Sequence, residues 1–274
     1  MRPVAVPLLC AIVLLGACQR EAQAPVADAA GASAAPVRGD PAPAPAPKPA
    51  EAVKVEEKGE LVELEYAYPA EAAALPQLKA LLDADLAEAR AKITTEAREG
   101  RTIARDEGFP FNPYFSMHDW RVVTDLPGWL SLSALVSEFT GGAHPNHWFD
   151  AILWDKAAGK RRDAKDLFVS KEALSAAIRD RFCRQIDAQR RRKREGEPAS
   201  SEAEDPYWAC LDPVEYVVIL GSSDKRHFDR IGVLVPPYEA GPYAEGEYEA
   251  TMSVTPAVIE AVKPEYRSAF AVGR

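Results

Sequence analysis

WLSLSALVSEFTGGAHPNHWFDAILWD, residues 129–155, decides the fold. In its first part Leu130, Leu132, Ala134 and Val136 alternate with Ser131, Ser133 and Ser137, the two-residue period of a strand with one buried face. In its last part, HWFDAILWD (residues 147–155), both faces are apolar except at Asp150, which predicts a central strand. TGGAHPN joins the two, and Gly141 and Gly142 suit a tight reversal that needs positive φ.

Outward from this hairpin the periodicity alternates between two and 3.6. Upstream, HDWRVVTD (residues 118–125) reads as a strand that turns at Leu126-Pro127-Gly128. Before it, Leu75, Leu78, Leu82, Leu86, Ala89 and Ile93 step by three and four from Pro76, one buried helical stripe, with Gly100 expected to end the helix. ELVELEYAY (residues 60–68) reads as the first strand. Downstream come the turn DKAAGK and a helix from Ser170 with Leu174, Ile178, Phe182 and Ile186 at steps of four. Strands follow at residues 215–221 and 228–236, with a short last helix over 255–262. The expected class is α+β, helices laid on mainly antiparallel sheet and preceded by a disordered Pro/Ala-rich tether.

The first residues lie outside that pattern. Arg2 precedes an apolar stretch, Pro3 to Cys18, too short to span a bilayer and laid out like a signal peptide. It ends Leu15-Gly16-Ala17-Cys18, similar to a bacterial lipobox. That resemblance implies a signal peptide over residues 1–17 and a lipid on Cys18, against the plainer alternative of cleavage elsewhere. The resemblance to Gram-negative lipoproteins, with Gln19 after the cysteine, implies the outer membrane, facing the periplasm. Residues 18–58, with PAPAPAPKPAEA at 41–52, form the expected linker, at about 3.1 Å per residue in polyproline II. The folded part is expected to divide into a small subdomain (59–125) and a larger domain (126–274). Net charge is −9 at pH 7, which excludes general attraction to nucleic acid. Cys183 and Cys210 are the even pair left in an oxidising compartment and are read as a disulfide rather than free thiols. Closing that loop is worth about 3 kcal/mol in the loop-entropy model.

Three passages then stand together: Thr140-Gly141-Gly142-Ala143-His144; Asp155, Gly159 and Lys160 followed by Asp166-Leu167-Phe168; and Pro237-Tyr238-Glu239 with Pro242-Tyr243-Ala244 and Gly246. Their order resembles the extracytoplasmic domain of the RsiV-type anti-sigma factors, also found in the non-catalytic N-terminal region of PdaC-type peptidoglycan deacetylases. The resemblance covers about residues 60–270. It implies lysozyme binding, as in RsiV, or binding of wall glycan or another envelope protein.

Each candidate has a plain alternative. His144 and His147, with Asp150 beyond, are zinc-capable types, yet His147 and Asp150 are oddly spaced and face opposite sides of a strand. The TGGAHPN loop is therefore either an exposed binding loop or a structural turn. Tyr238 and Tyr243, among prolines, either anchor an interface or close the core. RRRKRE (residues 190–195) is read as a solvated helix end rather than a polymer-binding patch. Ser222 and Lys225 spell Ser-x-x-Lys, but in a predicted turn. The expectation is a non-catalytic binding module without cofactor or metal, whose ligand-binding candidates are Thr140, Gly141, Gly142, His144, Asn146, Tyr238, Pro242 and Tyr243. Its partners are the membrane, through the lipid, and a lysozyme-like hydrolase or peptidoglycan. A structural envelope protein and a cryptic wall hydrolase are the alternatives.

Overall fold

A computed structural model describes residues 49–195 and 206–274, all within one compact unit, Pro47–Arg274. The expected signal peptide, Cys18 and the expected linker up to residue 48 lie outside the described residues. No helix among those described is long and apolar enough to cross a membrane.

Two sheets carry the fold. The first runs in the order β1 (Val53–Lys58), β2 (Val62–Tyr68), β3 (Tyr114–Asp125), β4 (Trp129–Phe139), β5 (Asn146–Asp155) and β6 (Lys160–Arg162). All neighbours are antiparallel except β2 and β3. A parallel pair needs a crossover, supplied here by α1 (Ala70–Ala73) and α2 (Pro76–Glu107). The mixed α+β class, mainly antiparallel, is as the sequence predicts. The expected 125/126 division falls in the turn between β3 and β4, which pair along most of their length, so both segments share this sheet.

Two boundaries differ from expectation. The folded part begins at Val53, inside the expected linker: Val53 and Val55 alternate with charged residues and pack against the first core. Nor does Gly100 end α2, which runs on to Glu107 and stops at Gly108, left-handed at φ 78°. Gly100 is there for clearance, since a Cβ on it would stand 2.1 Å from the Tyr114 hydroxyl. The helix gives up roughly 1 kcal/mol of propensity so that Tyr114 can lie on its backbone.

The predicted α2 stripe is buried from Leu78 to Ile93, and Leu78, Leu82 and Leu86 share a core with Leu64, Tyr66, Trp120, Leu132 and Val136. The opposite face of β4 is also covered near its start. β7 (Val217–Gly221) packs across β3, β4 and β5, and Ser131 is 2% exposed. Serines that look solvent-facing in sequence are thus the small residues that admit a second layer.

That layer is the sheet β7–β8–β9, with β8 at Arg230–Val235 and β9 at Tyr248–Ser253. Against it lie α3 (Lys171–Lys193), capped by Ser170, and α4 (Pro256–Ala261), capped by Thr255. Cys183 on α3 bonds Cys210, with Cα atoms 5.4 Å apart. α3 also finishes the outer edge of β9. Arg181 donates to the Ser253 carbonyl at 2.6 Å, Gln185 to Thr251 at 2.9 Å, Gln189 to Glu249 at 2.7 Å and Lys193 to Glu247 at 2.6 Å. Four helical residues rise about 6.0 Å and two strand residues about 6.8 Å, so every fourth side chain meets every second carbonyl. The helix acts as a surrogate neighbour strand.

Candidate functional site

Between β4 and β5 the chain reverses through Thr140–Pro145, with φ 96° at Gly141 and 98° at Gly142. Leaving β8, Pro236–Gly246 runs to a short turn of 3-10 helix, Tyr243–Glu245. The two segments meet. His144 stacks on Tyr243 with ring centroids 3.7 Å apart and planes 16° from parallel. Its Nε2 lies 3.0 Å from the Tyr238 hydroxyl and its Nδ1 2.9 Å from the Pro145 carbonyl. The Tyr243 hydroxyl donates to that same carbonyl at 2.9 Å and lies 3.0 Å from His147 Nε2. Both histidines are thus linked to tyrosine hydroxyls. Tyr238 is 50% exposed and held at φ 72°, a left-handed conformation that costs a bulky residue on the order of 1–3 kcal/mol. A core-closing tyrosine would be buried.

The base of this cluster is the charged run expected to be solvated. Arg190 has a side chain 1% exposed. Its Nε donates to the Ala240 carbonyl at 2.9 Å, and its Nη1 to Asp187 at 2.9 Å and to Ala209 at 3.2 Å. Lys193 donates to the Glu245 and Glu247 carbonyls and sits 4.0 Å over the Tyr248 ring. Arg194 pairs with Glu245 at 2.7 Å, and Tyr248 donates to the same carboxylate. Burial and that carboxylate push the Tyr248 phenol well above its ordinary range, so it stays a donor. Three of the six charges in RRRKRE therefore clamp the segment that carries Tyr238 and Tyr243, because the helix delivers them over the core rather than into solvent.

Of the eight candidates the structure brings His144, Tyr238 and Tyr243 together and adds His147. Thr140, Gly141 and Gly142 border a different feature, a shallow apolar groove of about 340 Å³ with Ile103, Phe109, Phe111, Tyr114 and Phe139. Asn146 and Pro242 are exposed flanks. Among the described residues no group of three or more His, Cys, Asp or Glu side chains is placed to hold a metal ion. Ser222 and Lys225 lie in a turn, with the Ser222 hydroxyl accepting from the Lys225 amide at 2.9 Å.

β5 is less enclosed than its apolar sequence predicts. Only Leu153, Trp154 and Asp155 pair with β6, leaving Asn146–Ile152 without a neighbour strand on that side.

Residues 55–147 match the family model described as Deacetylase PdaC, from β1 to the start of β5. A crystal structure of a DUF3298 family member from Bacteroides fragilis aligns with a TM-score of 0.53 at 16% identity, covering 80% of this chain and 95% of that one. For a DUF3298 family protein from Pseudomonas aeruginosa the values are 0.48, 18%, 83% and 99%. No curated protein matches. Over residues 55–147, which include the Thr140–His144 passage, the chain is thus similar to the PdaC model, as that motif implies, and it shares its fold with the Bacteroides protein.

Proposed function

We propose that this chain is a lipid-anchored, non-catalytic binding module of the cell envelope, and that the His144–Tyr238–Tyr243 cluster receives a protein partner, a lysozyme-like wall hydrolase. One observation carries the reading. An exposed tyrosine is kept in a strained left-handed backbone, stacked into a ring cluster and clamped from below by buried charge. Such strain persists only where surrounding structure over-determines it, and it collects at binding sites. Tyrosine anchors interfaces at low entropic cost, and a preformed cluster lowers that cost further. The partner class comes from the resemblance to the RsiV-type domain. The anchor comes from the sequence around Cys18, and mass spectrometry of the mature N-terminal peptide tests it.

Binding is tested with the purified full chain and hen egg-white lysozyme, by interferometry and by slowed lysis of wall suspensions. Tyr243→Ala and His144→Ala are each expected to weaken binding by about 1–2 kcal/mol, or roughly tenfold. Tyr238→Gly separates function from fold. Glycine takes φ 72° without strain, so thermal stability should hold or rise while affinity falls. Neither binding nor inhibition by the wild-type chain refutes the reading. Retention on purified peptidoglycan instead would move the module to the glycan-binding class.

A further inference from the structure

On β5 the outward backbone groups belong to alternate residues. Ala151 faces out, since its carbonyl accepts from Arg161 on β6 at 2.9 Å, and by the strand period so do Phe149, His147 and Pro145. At both ends of this row side chains stand in for the missing strand. The Asp150 carboxylate takes the Ala151 amide at 2.6 Å and pairs with Arg161 at 2.9 Å. At the other end the Tyr243 hydroxyl takes the Pro145 carbonyl at 2.9 Å. Among the described residues, no partner meets the outward N–H and C=O of His147 and Phe149. Space lies beside them. A hollow of about 340 Å³ is lined by Trp148, Phe149, Tyr216, Pro236, Glu215 and Glu239, and Lys165 and Val217 also border a second, of about 350 Å³, flanking Ala151. Glu215 and Glu239 are exposed at the rim of a chain of net charge −9.

Resting on the partner-binding reading of this site, we infer that the partner is held by strand addition: an extended segment bearing a basic residue lies along the outer edge of β5 and pairs with the backbone of His147 and Phe149. An unpaired ladder recognises an extended main chain, and the acidic rim selects the charge of its side chain. The far wall of this hollow is formed by Tyr216, Val217 and Lys165. Tyr238 and Tyr243 then hold the end of the segment that leaves the groove.

The test pans a phage-displayed random heptapeptide library on the purified full chain. Selected peptides, with hen egg-white lysozyme alongside, are measured on wild type, Phe149→Ala and Phe149→Pro. Proline deletes one outward N–H at a position where an edge strand tolerates it, and alanine removes only the ring. Selected peptides should carry Lys or Arg and lose at least tenfold more affinity on Phe149→Pro than on Phe149→Ala. Amide exchange at His147 and Phe149 should slow in the wild-type complex, a readout that needs no variant to fold. No enriched peptide, equal effects of the two variants, or unchanged exchange overturns strand addition. Lysozyme separates the two readings. If it binds regardless of Phe149→Pro, the partner stands and strand addition falls; if peptides behave as expected and lysozyme does not bind, the reverse holds.

Discussion

Replacing Arg190 by alanine tests whether buried charge positions the aromatic cluster. The Ala240 carbonyl is fully buried and loses its donor, at about 1–3 kcal/mol. The Ala209 carbonyl and Asp187 are partly exposed and regain water, so each loss is on the order of 0.5–1 kcal/mol. Removing the stem empties space for about three methylenes, near 0.8 kcal/mol each. Against this, the guanidinium no longer needs desolvating, and its Nη2, which has no hydrogen-bond partner among the described residues, no longer costs about 1–3 kcal/mol. The balance is a loss of about 3 kcal/mol. For a body of this size, that lowers the thermal midpoint by roughly 6–12 °C.

The assay is differential scanning calorimetry with Arg190→Met beside Arg190→Ala. Methionine keeps the stem volume and drops only the polar contacts, so its loss should be well under half that of alanine, on the order of 0.5–1 kcal/mol. Ring contacts depend on where Ala240 holds the loop, so near-ultraviolet circular dichroism from the tyrosines should change in both variants. A midpoint within about 2 °C of wild type for Arg190→Ala, with an unchanged aromatic spectrum, would refute the clamp.

Two further outcomes follow from single side chains. Burial holds the His118 imidazole below its ordinary value, outweighing the upward pull of Asp85, Glu138 and Asp150, and Nε2 has no hydrogen-bond partner among the described residues. The unfolded chain therefore binds a proton that the folded chain refuses, so stability falls as pH drops below about 6.5 and recovers above it. His118→Gln should flatten that acid limb in midpoints measured from pH 7.5 to 5, and an unchanged slope counts against the assignment. Gly100→Ala should destabilise despite alanine's better helix propensity, whereas in a Tyr114→Ala background it should stabilise by about 1 kcal/mol. Equal effects in both backgrounds would mean Tyr114 does not set the residue at 100.

Local periodicity announces the elements on which the site stands. The strand pattern at 129–139 and the glycine pair at 141–142 give the hairpin, because pleat and positive φ are properties of neighbouring residues. The helix from Ser170 is legible from its cap and stripe. Long-range meetings are harder to read. RRRKRE looks solvated because nothing in six residues tells that the preceding turns lie along β9; the step of four through Arg181, Gln185, Gln189 and Lys193 is the signal that was there. Gly100 reads as a stop because its reason, Tyr114, comes after the helix has ended. β5 reads as central from its apolar faces, yet faces are covered by layers and edges by strands, and a β6 of three residues leaves the two out of step.

That mismatch ties the fold to its proposed use. Exposed edges invite pairing, and folded proteins blunt them. Here β9 is blunted by the side chains of α3. The outer strand β1 alternates Val53 and Val55 with Lys54 and Glu56 before ending Glu57-Lys58, charged enough to discourage a neighbour. β6 is short and basic. β5 carries caps at Pro145 and Ala151 and nothing described between them. If the gap at His147 and Phe149 were mere neglect, its position would be unrelated to the clamped segment. Instead Tyr243, held in place from α3, supplies one of the two caps, and His147 carries one gap residue's backbone and one ring contact of the cluster. A partner strand entering this edge would therefore be met at once by the groove and by the rings.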